Sequence, residues 1–314
     1  MIEGETAGLE PIRPSSVRYI KLGPNNLWFE DCLEHGRIDL GHSGVPHEAA
    51  RVGDWDAVRQ SWSEDTSPGK ISDHLRKVKT FYTLGQDCLW ITFARGRLWW
   101  AFAEPDVVLH GYREPSGPSR YRRVIGKWRS INRFGEQLIQ SDISSKLTKT
   151  AAYRQTICRV QAESYTVRLI NAEEDPAVVE AKAAQTALET ALLPIIQSLH
   201  ETDFEVLTDL LFHRLGWLRV STLGGLQKDT DLILEQPATK ARALVQVKST
   251  ADQSVLDDYA ARFKDMQADA SFFVCHSPRG ELVANDNTHV WIGQDLAQRV
   301  IQAGLVHWVL ERAA

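Results

Sequence analysis

Cysteine is scarce in this chain. Cys32, Cys88, Cys158 and Cys275 are its 4 examples in 314 residues, far apart and never in CxxC spacing. That argues against a zinc site and a disulfide framework, and it fits reduced thiols in the cytoplasm. Long apolar runs are missing too. No uninterrupted stretch nears the roughly 20 residues that span a bilayer, so no membrane association is expected. The acidic start, Met-Ile-Glu-Gly-Glu-Thr, lacks the apolar run of a signal peptide. There is no GxxxxGKS loop, so the chain itself should not hydrolyse nucleotides. His42 and His47 lie near each other without a third ligand, and the remaining histidines show no metal spacing. Internal repeats and Ser- or Cys-based catalytic arrangements are also absent.

What is present is uneven. The net charge is −5, which taken alone discourages a nucleic-acid partner. Residues 1–172, however, carry 24 Lys and Arg against 20 Asp and Glu, a net of +4. Residues 173–314 carry 12 against 21, a net of −9. Such asymmetry points to two units with different tasks, and a local basic cluster can bind DNA whatever the global charge.

Residues 1–172 read as a mixed α+β domain with its strands in a curled sheet or small barrel. Strands are expected at Val17–Leu22, Ile38–Gly41, Val107–His110 and Tyr121–Ile125, and helices at Trp28–His35, Asp54–Trp62, Asp73–Leu84 and Glu163–Ile170. Asp87–Ala94 and Arg97–Glu104 flank Arg95-Gly96 as a hairpin. Residues 173–200 read as a linking helix opened by Pro176. Residues 201–314 then alternate between helical and strand periods. A helix from Thr202 or Asp203 comes first, followed by strands at Trp217–Leu223, Asp231–Leu234 and Ala243–Val247. A helix at Val255–Met266, strands at Ser271–Cys275 and His289–Ile292, a helix from Gln294 and a last strand at Val306–Leu310 complete the unit. The order αβββαβ describes a three-layer α/β core.

The sharpest chemical proposal lies at Asp229-Thr-Asp231-Leu-Ile-Leu and Val245-Gln246-Val247-Lys248. Each half is a short apolar strand with polar residues at its end. Cutting a phosphodiester adds negative charge to an anion, and a hard cation bound by carboxylate and carbonyl oxygens neutralises it. Asp231 can supply the carboxylate. Gln246 and Lys248, two apart on a strand, face the same way. Gln246 can offer its amide oxygen, and Lys248 can orient a hydroxide. Glu205, on the helix before, could reach the same place. Asp229 could share Asp231's face, but a turn there would misdirect it. The run Phe204-Glu205-Val-Leu, Leu-Gly-Trp217, Lys228-Asp229-Thr-Asp231 and Gln246-Val-Lys248-Ser resembles the Mrr-like branch of the PD-(D/E)xK nuclease superfamily. The resemblance covers roughly residues 200–312. That branch often carries Gln where the superfamily has its second acid. It implies a restriction-endonuclease-like fold and DNA cleavage with Mg²⁺ (or Mn²⁺). Glu205, Asp231, Gln246 and Lys248 take the catalytic positions, with Asp231 and Gln246 on the metal.

The first half adds aromatic and basic residues. Trp90 and Trp99 share the hairpin face opposite Leu89, Ile91, Leu98 and Trp100. They could stack a flat ring, or form a second buried layer under a helix. The Trp-rich sheet ahead of a nuclease is similar to the PUA-like modified-base readers, which include the EVE domains. That resemblance implies a flipped, modified cytosine in an aromatic cage, for which Trp28, Trp90 and Trp99 are the candidates. Arg113, Arg120, Arg122, Arg123, Lys127, Arg129 and Arg133 form a basic cluster suited to the phosphates of double-stranded DNA. The expectation is a modification-dependent restriction endonuclease, a homodimer if it cuts both strands. An inactive DNA-binding or sensing protein on a decayed nuclease fold, and a structure-specific repair nuclease, are the alternatives.

Overall fold

A computed structural model describes residues 9–313, apart from 64, 112–116, 154, 221–230, 265, 267 and 285–287. Its contacts divide the chain into two units, Met1–Pro176 and Ala177–Ala314. Each is mixed α/β and is built on a mixed sheet. Among the described residues no helix is long and apolar enough to cross a membrane. All four cysteines are free and buried.

The first unit runs β1 (Ser16–Ile20), α1 (Phe29–Glu34), β2 (Arg37–Leu40), α2 (His47–Val52), α3 (Trp55–Gln60), α4 (Pro68–Thr83), β3 (Cys88–Ala94), β4 (Arg97–Leu109), β5 (Arg120–Arg129), α5 (Ser145–Thr148), β6 (Ile157–Arg159) and α6 (Glu163–Asn171). Its sheet has the order β2-β5-β4-β3-β1-β6. Only β1 and β3 pair in parallel. The helix expected from Asp73 starts earlier, at Pro68, where a proline's missing N–H costs nothing. The strand expected at Val107–His110 is the end of β4, which reaches Leu109 through register shifts against β5 between Trp100 and Phe102 and between Ala103 and Val107.

Both faces of this sheet are covered. Val17, Tyr19, Leu89, Ile91, Leu98 and Trp100 pack on one side with Leu138, Ile143 and Leu147. Trp90, Ala101 and Ala103 pack on the other with Phe29 of α1 and Phe81 of α4. Alternation along β3 and β4 therefore separates two apolar layers rather than core from solvent.

The second unit runs α7 (Pro176–Gln197), α8 (Glu201–Arg214), β7 (Leu218–Arg219), β8 (Leu232–Glu235), β9 (Arg242–Ala251), α9 (Gln253–Lys264), β10 (Ala270–Pro278), β11 (Thr288–Ile292), α10 (Gly293–Gln302) and α11 (Val306–Ala313). The sheet order is β11-β10-β9-β8-β7. β9, β10 and β11 are parallel, and β7 and β8 pair antiparallel. Parallel neighbours need a crossover, which α9 provides between β9 and β10. Phe204, Leu207 and Leu211 of α8 meet Val245 and Val247 on one face, with Leu192 and Ile196 of α7 and Leu296 and Val300 of α10 in the same core. Leu256 of α9 packs with Phe273 and Cys275 on the other face.

One expected strand is overturned. Val306–Leu310 lies in helix α11. Leu305 and Val309, four apart, both enter the core, and His307 pairs with Glu311 at 3.1 Å across one turn. A short apolar run carries no period of its own, and here the i, i+4 contacts decide.

Candidate active site

The antiparallel pair β8–β9 sets the site. Leu232 and Leu234 stand opposite Val245 and Ala243, and all four enter the core. Asp231, just ahead of β8, is thereby left beside Gln246. Its own N–H donates to Val245 O at 3.2 Å, fastening it to β9. Its Oδ2 accepts the Val247 N–H at 2.7 Å and a hydrogen bond from Gln246 Nε2. Its Oδ1 has no protein donor among the described residues.

Gln246 is 2% exposed, and its Oε1 is buried without a partner among the described residues. A buried acceptor left bare costs about 1–3 kcal/mol. Lys248, two residues on, shares Gln246's face, and its Nζ lies 5.5 Å from the centroid of Tyr259 on α9. Arg262 covers the same ring at 5.0 Å.

Charge ties α8 to these strands. Burial raises the Glu205 carboxyl above its ordinary range, and Asp231 and Glu201 push it further. Lys248 and Arg219 pull the other way. Burial also raises Asp231, against the Val247 hydrogen bond and the Lys248 charge, which lower it. Arg219 on β7 lies 3.5 Å from Asp231 O and 3.9 Å from Asp209.

The structure thus brings Asp231, Gln246 and Lys248 together, with Glu205 in electrostatic reach. Lys228 and Asp229 lie outside the described residues. Glu201, Arg219 and Tyr259 join the site unannounced. Only Glu201 left a usable signal, being one helical turn before Glu205.

The donor set fits a hard cation. Among the described residues Oδ1 of Asp231 has no donor, and Oε1 of Gln246 is an orphan acceptor of the kind such an ion takes. A half-turn of the amide exchanges Nε2 for Oε1. The set is nevertheless poor in charge. Among the described residues no group of three or more His, Cys, Asp or Glu side chains is arranged to hold a metal.

Comparison with protein-family models, with curated proteins and with solved structures finds no match.

In the first unit the basic cluster separates. Arg123 and Lys127 are exposed on β5. Arg129 lies 5.4 Å from the Trp100 ring and Arg133 5.2 Å from the Phe134 ring. Arg113 is outside the described residues. Arg120 and Arg122 are corrections, because they are 1% and 0% exposed. Arg120 donates to Tyr82 Oη and His42 O, each at 2.8 Å, and to Val45 O. Arg122 donates to Glu104 O at 2.5 Å, to Ala103 O at 3.1 Å, and to Phe81 O and Gly85 O. Those carbonyls at Ala103 and Glu104 lie where β4 slips register against β5, so the guanidinium satisfies what the bulge frees. Neither arginine can reach a phosphate.

The aromatic candidates separate likewise. Trp90 is 0% exposed, 6.0 Å from Phe81 and 5.6 Å from Arg122. Trp99 is half-buried on Phe29 at 5.3 Å and donates to Ala94 O. Both belong to the layer under α1 and α4, which removes them from a base cage. Trp28 lines a cavity.

Proposed function

We propose that the chain is a Mg²⁺-dependent DNA endonuclease, with a restriction-endonuclease-like catalytic unit at 201–314 and a recognition unit at 1–172 that responds to modified DNA. The observation that carries this reading is the pairing of Asp231 with Gln246 and the Val247 amide, in electrostatic reach of Lys248, beside a Gln246 amide oxygen that is buried with no partner among the described residues. Asp231 and Gln246 would hold Mg²⁺ (or Mn²⁺), with Glu205 reaching the same site; when bound, the ion neutralises charge that builds on the phosphate. Lys248 donates to the attacking water and stabilises the charged phosphate oxygens. The Tyr259 ring face holds that ammonium in place. Arg123 and Lys127 supply phosphate contacts, which position the duplex without reading it. A single site cuts one strand, so double-strand cleavage calls for two copies of the chain.

A second reading, a DNA-binding protein on a decayed nuclease fold, is favoured by the thin donor set described above. One digest separates the two. Phage DNA carrying plain, methylated or hydroxymethylated cytosine is incubated with the protein, with Mg²⁺ and with a chelator. Cleavage is expected only with the metal. Asp231→Ala and Lys248→Ala are each expected to lose about a hundredfold or more in rate while DNA binding persists. Variants that cut as fast as the parent would show that this site is not the catalytic one.

A further inference from the structure

α7 is apolar where a surface helix is usually polar. From Ala177 to Leu188 only Glu180, Lys182, Gln185 and Thr186 interrupt its apolar residues, yet every residue of that stretch is exposed. Its buried residues come later, at Glu189, Leu192 and Ile196, the last two in the core of the second unit. A helix that is apolar on all sides is ordinarily covered, and a free one of about 12 residues is marginal in water.

One side of α7 has a regular spacing. Ala181, Ala184, Leu188, Ala191 and Ile195 follow at steps of three, four, three and four. That is the heptad spacing of a helix laid lengthwise on another helix. The strip lies about a quarter-turn round from Leu192 and Ile196, so α7 can keep its own core and still present it. Leu188 is 38% exposed. The strip carries no charge, so a like strip meets no repulsion there. At its end lies a groove of about 380 Å³, lined by Pro194, Ile195 and Ser198 with Leu310 and Ala313 of α11. Leu310 is 46% exposed.

The order of sizes along the strip selects the occupant. Set antiparallel to itself about a twofold axis at the level of Thr186, the strip is self-complementary. Ala184 then faces the partner's Leu188, Ala181 faces the partner's Ala191, and Ile195 faces the partner's Ala177. Each large side chain meets a small one, which keeps the layers even and closely packed. A parallel pair would set Leu188 against the partner's Leu188, and the wide layer would hold the alanine layers apart. Antiparallel packing also places each positive helix N-terminus beside a negative C-terminus. Two helices of about 30 Å packed side by side hide on the order of 1,000 Å² in total. That is the lower limit for a specific interface, so the complex should be reversible.

We infer that α7 is the interface between two copies of this chain, packed antiparallel along Ala181, Ala184, Leu188, Ala191 and Ile195. The inference does not need the nuclease reading, although it supplies the second copy that double-strand cleavage calls for.

The test uses the full chain. Sedimentation velocity over a range of concentrations is expected to show a monomer–dimer equilibrium. Ala184→Glu puts a charge on the strip and should weaken association about tenfold or more. At an exposed helical position it should leave the melting temperature unchanged. Ala183→Glu, off the strip, should dimerise like the parent. All four native cysteines are buried, so introduced ones report the register. Ala184→Cys mixed with Leu188→Cys should form a disulfide between copies, and neither variant alone should. Cross-linking of each variant with itself would overturn the antiparallel pairing. A chain that stays monomeric, with α7 covered from within the same chain, would overturn the interface, and so would a dimer that Ala184→Glu leaves intact. A dimer that cuts no DNA would keep the interface and remove the nuclease reading. A monomer that cuts DNA would do the reverse.

Discussion

Arg122 is enclosed by carbonyl oxygens, and the field they make keeps a buried charge tolerable. Burial pulls its guanidinium down to about 10, which still leaves it protonated at neutral pH. Removing it would strand the carbonyls of Ala103 and Glu104 in the β4 bulge, at about 1–3 kcal/mol for each buried acceptor left bare. Arg122→Met is therefore expected to lower unfolding stability by about 3 kcal/mol, read from the denaturant midpoint. Arg123→Ala, on the exposed face of the same strand, should stay within about 0.5 kcal/mol. A loss below about 1 kcal/mol at Arg122 would show that the bulge carbonyls find other donors. In the sequence the two arginines are adjacent and chemically identical. Strand alternation sends one inward, but which one depends on the register of β4, and that register contains a slip no local pattern reveals. Asp231, Gln246 and Lys248 were legible for the opposite reason. Their spacing on short apolar strands fixes their face without any distant partner.

At the scale of elements, type was easier to read than partnership. The helices and strands expected in the first unit fall close to their sequence signals, because apolar spacing and turn residues are local, whereas the short α2, α5 and β6 were not anticipated. α11 escaped because eight residues of mixed β-branched and aromatic character suit either state until a core chooses. The loop between β2 and α2 shows what non-local contacts add. Arg120 holds it through the carbonyls of His42 and Val45, and His42 sits 4.9 Å from His74 on α4. Its pKa falls from 6.5 to about 4, chiefly by burial. The folded state favours the neutral ring, so this contribution is fully present above pH 6.5. It is lost as pH falls toward 4, where the unfolded chain takes up the proton first. A gap of that size corresponds to roughly 3 kcal/mol. Thermal melts of the parent between pH 7 and pH 4 should fall more steeply than those of His42→Asn, a residue that tolerates the same left-handed backbone. Parallel curves for the two proteins would mean that His42 titrates normally.

For the whole molecule, Asp231 and Glu205 respond to acid with the opposite sign to His42. Asp231 and Glu205 have raised carboxyl pKa values. Below the raised values the folded state binds protons that the unfolded chain does not yet hold, so this pair stabilises as pH falls through that window and destabilises above it. Glu205→Gln should therefore melt slightly higher than the parent at pH 8, with the gap closing as pH falls through the raised carboxyl value, and on the proposed function it should cut DNA more slowly. A variant that melts lower at pH 8 would show that Glu205 is a structural residue and not a strained one. The charge difference between the two halves, visible in the sequence, anticipated that the units would differ. It carried no information about where the carboxylates would be crowded.

The Asp231 carboxylate has two employments. One oxygen takes the Val247 amide and the Gln246 side chain, and so pins the start of β8 to β9. The other meets no protein donor among the described residues. A cation that draws charge from this carboxylate would weaken its hold on the Val247 N–H. On the proposed function, hydrogen exchange at the Val247 amide would then report whether a cation is bound, because ion and sheet edge would share one carboxylate.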